Sequence, residues 1–247
     1  MRDRISPPGI DVELRGLALG GVPVLGSLAI TIEAGRTTCL LGPSGVGKTT
    51  LLRLVAGLIA PQDGVRIAAT DALALGPRIA WMAQADLLFP WLSVLGNAML
   101  GARLRGERPD RDRARQVLAE VGLAAQAEKM PATLSGGQRQ RAALARTLME
   151  DRPVVLLDEP FSAVDLPTRL RLQDLAATLL AGRTVLMVTH DPLEALRLAH
   201  RIFVLRGIPA SASEIPLPPG LPPRAPDDPA LLAEQGRLLT ALKEAAA

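Results

Sequence analysis

Gly42-Pro43-Ser44-Gly45-Val46-Gly47-Lys48-Thr49-Thr50 constrains this chain more than any other stretch. Two glycines separated by four residues and followed by Lys and Thr fit the phosphate-loop pattern. The loop follows the apolar run Thr38-Cys39-Leu40-Leu41 and opens the apolar-rich segment Leu51-Leu52-Arg53-Leu54-Val55-Ala56, so it lies between an expected buried strand and an expected helix. Glycine at 42, 45 and 47 lets backbone N–H groups curl around phosphate oxygens without a Cβ in the way, and the helix N-terminus adds partial positive charge. Lys48 is then placed to reach β- and γ-phosphates, and the Thr49 hydroxyl to bind Mg²⁺.

Composition narrows the class. With 247 residues and 48% hydrophobic content, the chain can build one large core. No run approaches the roughly eighteen apolar residues of a membrane helix, and Met1-Arg2-Asp3-Arg4 leads into no apolar signal core, so a soluble, cytosolic protein is expected. Cys39 is the only cysteine; it is expected to be a small buried side chain, and no internal disulfide can form. The net charge of +3 comes from dispersed arginines, and aromatics make up only 2% of the chain, which argues against a nucleic-acid groove built on stacking.

Along the chain, residues 1–9 read as a loose end. The stretches 10–19 and 24–32 alternate apolar and polar residues and predict an antiparallel hairpin-like pair. The helix after the phosphate loop is expected to stop near Gly57. Short strands are expected at 65–68 and 79–83, and helices at 110–121, 124–129 and 137–150. The apolar run Val154-Val155-Leu156-Leu157 reads as a strand buried on both faces. A helix at 167–180, a strand at 184–189, a helix at 193–198 and a strand at 201–205 follow, and this alternation predicts a mainly parallel sheet. After Gly207 the chain turns Pro-rich and reads as an extended strap, followed by a helix whose Leu231, Leu232, Leu238, Leu239 and Leu242 stripe docks on the domain.

The run at 154–157 ends in Asp158-Glu159. A buried strand delivering a carboxylate beside a phosphate loop is a way to hold Mg²⁺, which makes Asp158 the expected metal partner and Glu159 the group that orients and deprotonates an attacking water. Upstream, Leu134-Ser135-Gly136-Gly137-Gln138 opens a helix and offers a second anion-binding nest. One nucleotide needs one such loop in its own chain, so a second nest suggests a second subunit.

With these motifs in place, the sequence resembles the ATP-binding subunit of an ABC transporter over about residues 10–207. Gly42, Pro43, Ser44, Gly45, Val46, Gly47, Lys48, Thr49 and Thr50 resemble its Walker A loop. Gln84 resembles its Q-loop, and Leu134 to Gln138 its signature. Val154 to Glu159 resembles Walker B with the catalytic carboxylate, Ser162 to Asp165 the D-loop, and His190 the switch histidine. The resemblance implies an α/β fold, a P-loop NTPase of ABC type, with a mainly parallel core sheet, an N-terminal antiparallel β-subdomain and a helical subdomain at about 85–150. Residues 1–207 would form the ATP-binding domain and 208–247 an appended strap and helix.

The same resemblance implies an ATPase with Glu159 and His190 in catalytic roles. ATP would be bound by residues 42–50, Gln84 and the signature residues Ser135, Gly136, Gly137 and Gln138, with Mg²⁺ on Thr49, Gln84 and Asp158. It also implies a head-to-tail homodimer, integral membrane permease partners on whose cytoplasmic face the chain sits, and a periplasmic or lipid-anchored substrate-binding protein. No nucleic-acid partner is implied.

The segment from Ala85 to Asn97, with Leu88-Phe89-Pro90-Trp91-Leu92, resembles the nitrate, sulfonate, taurine and hydroxymethylpyrimidine importer group. Met82-Ala83-Gln84 and residues 100–106 lean toward hydroxymethylpyrimidine, a thiamine precursor; a sulfonate, taurine or nitrate importer is the alternative, and an exporter subunit a further one. In this resemblance Trp91 is the anchor for the permease; apart from it, Trp81 is expected to be a core residue and His200, which matches no motif, an exposed one. One departure stands out. Leu19 occupies the place where the family carries an adenine-stacking aromatic, and this chain has no Tyr and no Phe or Trp before Trp81.

Overall fold

Alternating apolar residues put Ile10, Val12 and Leu14 on one face of their strand and Leu28, Ile30 and Ile32 on the matching face of another, and the two strands pair antiparallel with all six side chains buried. The computed structural model describes residues 6–246. In chain order the elements are β1 (Ile10–Leu14), β2 (Leu17–Leu19), β3 (Val22–Leu25), β4 (Leu28–Ile32), β5 (Thr37–Leu41), α1 (Lys48–Val55), β6 (Val65–Ala69), β7 (Ile79–Met82), α2 (Val94–Ala98), α3 (Leu100–Leu104), α4 (Arg111–Glu120), α5 (Gly136–Leu148), β8 (Val154–Asp158), α6 (Leu166–Leu179), β9 (Thr184–Val188), α7 (Pro192–Leu198), β10 (Arg201–Arg206), β11 (Ser211–Ile215) and α8 (Pro229–Ala246).

Two units result. The first takes the described residues to Ile79, Pro153–Asp158 and everything from Ala181. It holds a small antiparallel sheet in the order β4-β1-β6, the β2-β3 hairpin, and a larger sheet that runs β11-β10-β5-β9-β8 within this unit. β10, β5, β9 and β8 are mutually parallel, and every residue of β8 and β9 is buried, which is why each carries four consecutive apolar residues, 154–157 and 185–188. The second unit comprises Ala80–Arg152 and Glu159–Leu180, in which α2, α4 and α5 pack together.

The expected parallel sheet and antiparallel N-terminal strands are both present. Each of the two long N-terminal strands, however, is broken in two. Between β3 and β4 the break falls at Gly26, whose N–H donates to the Ala210 carbonyl at 2.7 Å, so the chain turns aside there. The helix expected at 124–129 is a single 3-10 turn at Ala124–Gln126. Of the expected loose end, residues 1–5 lie outside the described residues, while Pro8 and Gly9 are fixed: Thr184 Oγ1 donates to the Pro8 carbonyl and Gly9 N–H donates to Thr70 Oγ1.

The strap expected after Gly207 begins instead as a strand. β11 pairs antiparallel with β10 and covers an edge that would otherwise expose unpaired backbone groups. Its continuation is pinned by Arg224, which is buried. The Arg224 guanidinium donates to the carbonyls of Leu196 and Ala199 at 2.7 and 2.9 Å, so a distant arginine caps the C-terminal end of α7. Arg224 N–H donates to the Arg197 carbonyl, and Arg197 Nε donates back to the Arg224 carbonyl. On α8, Leu231 and Leu238 are buried, while Leu232 and Leu239 face outward, so the docked stripe is narrower than expected.

His200 is half-buried, not exposed as expected, because its Nδ1 accepts the Thr37 N–H at 3.1 Å at the start of β5. Burial first, then the nearby Arg36 and Arg224 charges, hold its pKa below the ordinary 6.5, against a smaller opposing effect of Glu33. The unfolded chain therefore binds the proton more readily. Stability from this site is complete above about pH 6.5 and is lost as pH falls toward the lower folded value. His200→Asn keeps an acceptor there but does not titrate. Between about pH 7 and 5.5 its urea midpoint is expected to fall less than that of the wild type, and parallel curves would contradict the assignment.

Candidate functional site

In the first unit, β5 is an inner strand flanked by β9 and β10, both parallel to it. The row Leu40, Val188, Asp158 runs straight across β5, β9 and β8, so the phosphate loop, His190 and Asp158 leave the sheet at the same edge. Ligands of parallel sheets bind outside these carboxyl ends. Thr189 N–H donates to the Leu40 carbonyl at 3.2 Å and extends this alignment past the strand end. His190 is exposed there, and Asp191 caps α7 by accepting from Leu193 and Glu194 N–H.

The loop has the conformation its glycines permit. Gly42, Gly45 and Gly47 have φ of 148°, 80° and 104°. A Cβ on Gly42 would lie 2.5 Å from the Leu205 carbonyl oxygen, and one on Gly47 would lie 2.8 Å from Leu25 Cδ2. Gly47 starts α1 without a side-chain cap, which leaves the first turn's amides to serve an anion. Lys48 is buried and its Nζ donates to the Gly42 and Pro43 carbonyls, each at 2.8 Å. The ammonium is thereby folded over the loop that it completes. Thr49 Oγ1 donates to Asp158 Oδ1 at 3.2 Å, and Asp158 is 1% exposed. A hydroxyl and a buried carboxylate side by side are hard oxygen donors suited to Mg²⁺, which takes few protein ligands when phosphates supply the rest.

The second unit brings Gln84 and Glu159 together. Gln84 follows β7, and its Nε2 donates to Glu159 Oε2 at 3.3 Å. The segment after Gln84 is bolted to α5 by two arginines that the sequence reading did not single out. Arg139 Nε donates to Asp86 Oδ2 at 3.0 Å and its Nη1 to the Leu134 carbonyl at 2.8 Å, while Arg146 donates to the Asp86 and Leu87 carbonyls. Burial pushes the Arg146 pKa down, with Asp86 and Glu150 opposing. Their sequence signal was their recurrence on one helix, seven residues apart and so on a common face.

The second nest is partly satisfied by itself. Ser135 and Gln138 form a capping box, with Gln138 N–H donating to Ser135 Oγ and Ser135 N–H to Gln138 Oε1, and this leaves Gly136 and Gly137 as the amides outside it. Gly137 has a steric reason as well, because a Cβ there would come within 2.8 Å of the Ala163 carbonyl oxygen. Asp165 caps α6 through Thr168 N–H, and that backbone hydrogen bond is the main reason its pKa lies below the ordinary carboxyl value.

Residues 25–162 match a family model described as ABC transporter. The chain is 47% identical over 215 residues to an uncharacterized ABC transporter ATP-binding protein of Haemophilus influenzae, covering 84% of this chain and 88% of that one. It is 45% identical over 243 residues to the aliphatic sulfonates import ATP-binding protein SsuB 1 of Nocardia farcinica, covering 96% and 94%. Among solved structures, a dimeric post-hydrolysis state of an ATP-binding cassette bound to ADP and Pi superposes with a TM-score of 0.74 at 28% identity, over 86% of this chain and 100% of that one.

Gly42→Ala tests the closest approach in the loop. With a backbone oxygen in the way and a φ that L-residues rarely adopt, it is expected to cost about 3 kcal/mol in urea unfolding, whereas a loss under about 0.5 kcal/mol would mean that the loop relaxes freely.

Proposed function

The chain belongs to the ABC transporter ATP-binding family, and from that premise we propose that it energises import of aliphatic sulfonates as a peripheral subunit beneath a membrane permease. It is an ATPase. The observation that carries the proposal is the Thr49–Asp158 contact beside the phosphate loop, taken with the near full-length similarity to a sulfonate import subunit. The lean toward hydroxymethylpyrimidine gives way here to its sulfonate alternative, since the named relatives favour the latter. The transported molecule never touches this subunit, so Met82-Ala83-Gln84 and residues 100–106 carry no direct imprint of it.

In this proposal the loop amides of residues 42–50 and Lys48 hold the β- and γ-phosphates of ATP. Thr49, Asp158 and Gln84 would hold Mg²⁺, which when bound offsets phosphate charge. Glu159, adjacent in sequence to Asp158, takes the proton of the attacking water, and His190 steadies the γ-phosphate. Ser135, Gly136, Gly137 and Gln138 close over the ATP of a second copy, so that two chains share two nucleotides head to tail. Residues 1–207 act as the ATP-binding domain, to which 208–247 add β11, the Arg224 cap and α8. A substrate-binding protein delivers the sulfonate to the permease.

The permease contact falls to Trp91, which is 70% exposed and packs against Phe89 with ring centroids 5.1 Å apart and planes tilted by 37°. Asn97 fixes that turn by accepting from Phe89 N–H and donating to the Phe89, Leu92 and Ser93 carbonyls. A rigidly presented tryptophan is an apolar anchor. No helix among the described residues is long and apolar enough to cross a membrane.

Two outcomes are expected. Glu159→Gln should cut turnover by at least about a hundred-fold and, in native cells, abolish uptake of labelled alkanesulfonate; loss of hydroxymethylpyrimidine uptake with alkanesulfonate uptake intact would overturn the substrate assignment. Leu19 at the end of β2 and the exposed Val22 after it offer the base only apolar contact. ATP and GTP are expected to show KM values within about three-fold of each other, and Leu19→Tyr should lower the KM for ATP about five-fold by adding a stacking face; strong base preference in the wild type would contradict this.

A further inference from the structure

Glu159 has φ of 50°, a left-handed conformation that a residue with a long side chain seldom adopts unless its surroundings impose it. The carbonyl of that residue is held by a buried amide on the neighbouring helix. Gln140 of α5 is 6% exposed although it is polar and shares its helix face with Ala143, Leu144 and Gly137. Its Nε2 donates to the Glu159 carbonyl at 2.8 Å and to Ser162 Oγ at 3.0 Å, and its Oε1 accepts the Ala163 N–H at 2.6 Å. Ser162 Oγ closes the turn by donating to the same Glu159 carbonyl at 3.1 Å. Both ends of one side chain are thus spent on the backbone that carries Glu159. One turn earlier on the same helix, Gly137 is pressed against the Ala163 carbonyl so closely that a Cβ would not fit.

We infer that Gln140 is a positioning residue for hydrolysis: its amide clamps the Glu159–Ala163 turn onto the signature helix, fixing the direction of the Glu159 carboxylate and tying it to Ser135–Gly137. The inference rests on the proposed role of Glu159. It adds a mechanical consequence. The helix that would close on a second copy's nucleotide is the same body that aims this chain's own carboxylate, so closure and aim move together. The side chain is suited to the task because an amide donates and accepts along one axis and carries no charge that would perturb the carboxylate. Loss of aim by a fraction of an ångström affects the chemical step and leaves nucleotide affinity in place.

The test uses the purified chain with Mg²⁺ and ATP. Gln140→Met keeps length and volume but neither hydrogen-bonding end, and is expected to lower kcat about thirty-fold with the KM for ATP within about two-fold of wild type. Gln140→Glu supplies a readout that a merely structural role would not move. Ionised, it cannot donate to the Glu159 carbonyl; protonated, it reproduces the amide's donor and acceptor. Its kcat, taken as a ratio to wild type at each pH, is expected to rise as pH falls.

An unchanged kcat in Gln140→Met, a loss carried wholly by KM, or a ratio for Gln140→Glu that stays flat with pH would overturn the proposal. Where Gln140→Met does not fold, Ser162→Ala decides: it removes one hydroxyl from the clamp, with kcat expected to fall about three-fold at constant KM, and an unchanged kcat overturns the proposal. Glu159→Gln, run alongside, separates the two levels. If it turns over like wild type, the reading of Glu159 falls and takes the clamp with it; if only Gln140→Met turns over like wild type, the clamp alone falls.

Discussion

The approach of the Leu205 carbonyl to Gly42 is the constraint on which the first unit depends. For β5 to lie between β9 and β10 and still release its chain into a tight loop, the backbone must pass a neighbouring strand with no side chain in the gap. Once that passage exists, α1 starts one turn later and its uncapped amides gather at the same sheet edge as Asp158 and His190. Everything assigned to nucleotide chemistry in this unit follows from three strand ends held in one row.

Charge in this row is managed by polar groups already in place. The Lys48 ammonium rests on two backbone carbonyls and the Asp158 carboxylate on the Thr49 hydroxyl, so neither is buried without partners. An incoming phosphate then exchanges one set of hydrogen bonds for another, and the protein dipoles need little reorganisation. This is preorganisation at the level of single side chains. In the second unit the same principle is met with arginines: Arg139 and Arg146 hold the segment after Gln84 by its carbonyls and by Asp86, so the loop keeps its shape without a hydrophobic core of its own.

Much of this was legible in the sequence, and the parts that were not share a cause. The buried strands were readable because a strand covered on both faces is mostly apolar along its length, as in Val154-Val155-Leu156-Leu157. The motif residues were readable because each is specified by its near neighbours in sequence. Gln140, Arg139 and Arg224 escaped notice because their partners lie 19, 53 and 28 residues away. For Gln140 the local hint was a polar residue on an otherwise apolar helix face. The breaks in the N-terminal strands were hidden for a similar reason, since Gly26 turns the chain toward Ala210, far along the sequence.

Arg224 gives the order of synthesis a structural meaning. The carbonyls of Leu196 and Ala199 at the end of α7 find their partner only when residue 224 has left the ribosome. Until then α7 lacks that cap, and until residues 211–215 pair with β10 its outer edge is uncovered. A nascent chain arrested before residue 211 would carry every residue of the nucleotide motifs and yet expose an open sheet edge, the kind of surface that chaperones bind and proteases cut. The segments that close this edge and cap α7 are therefore translated only after every residue of the nucleotide chemistry.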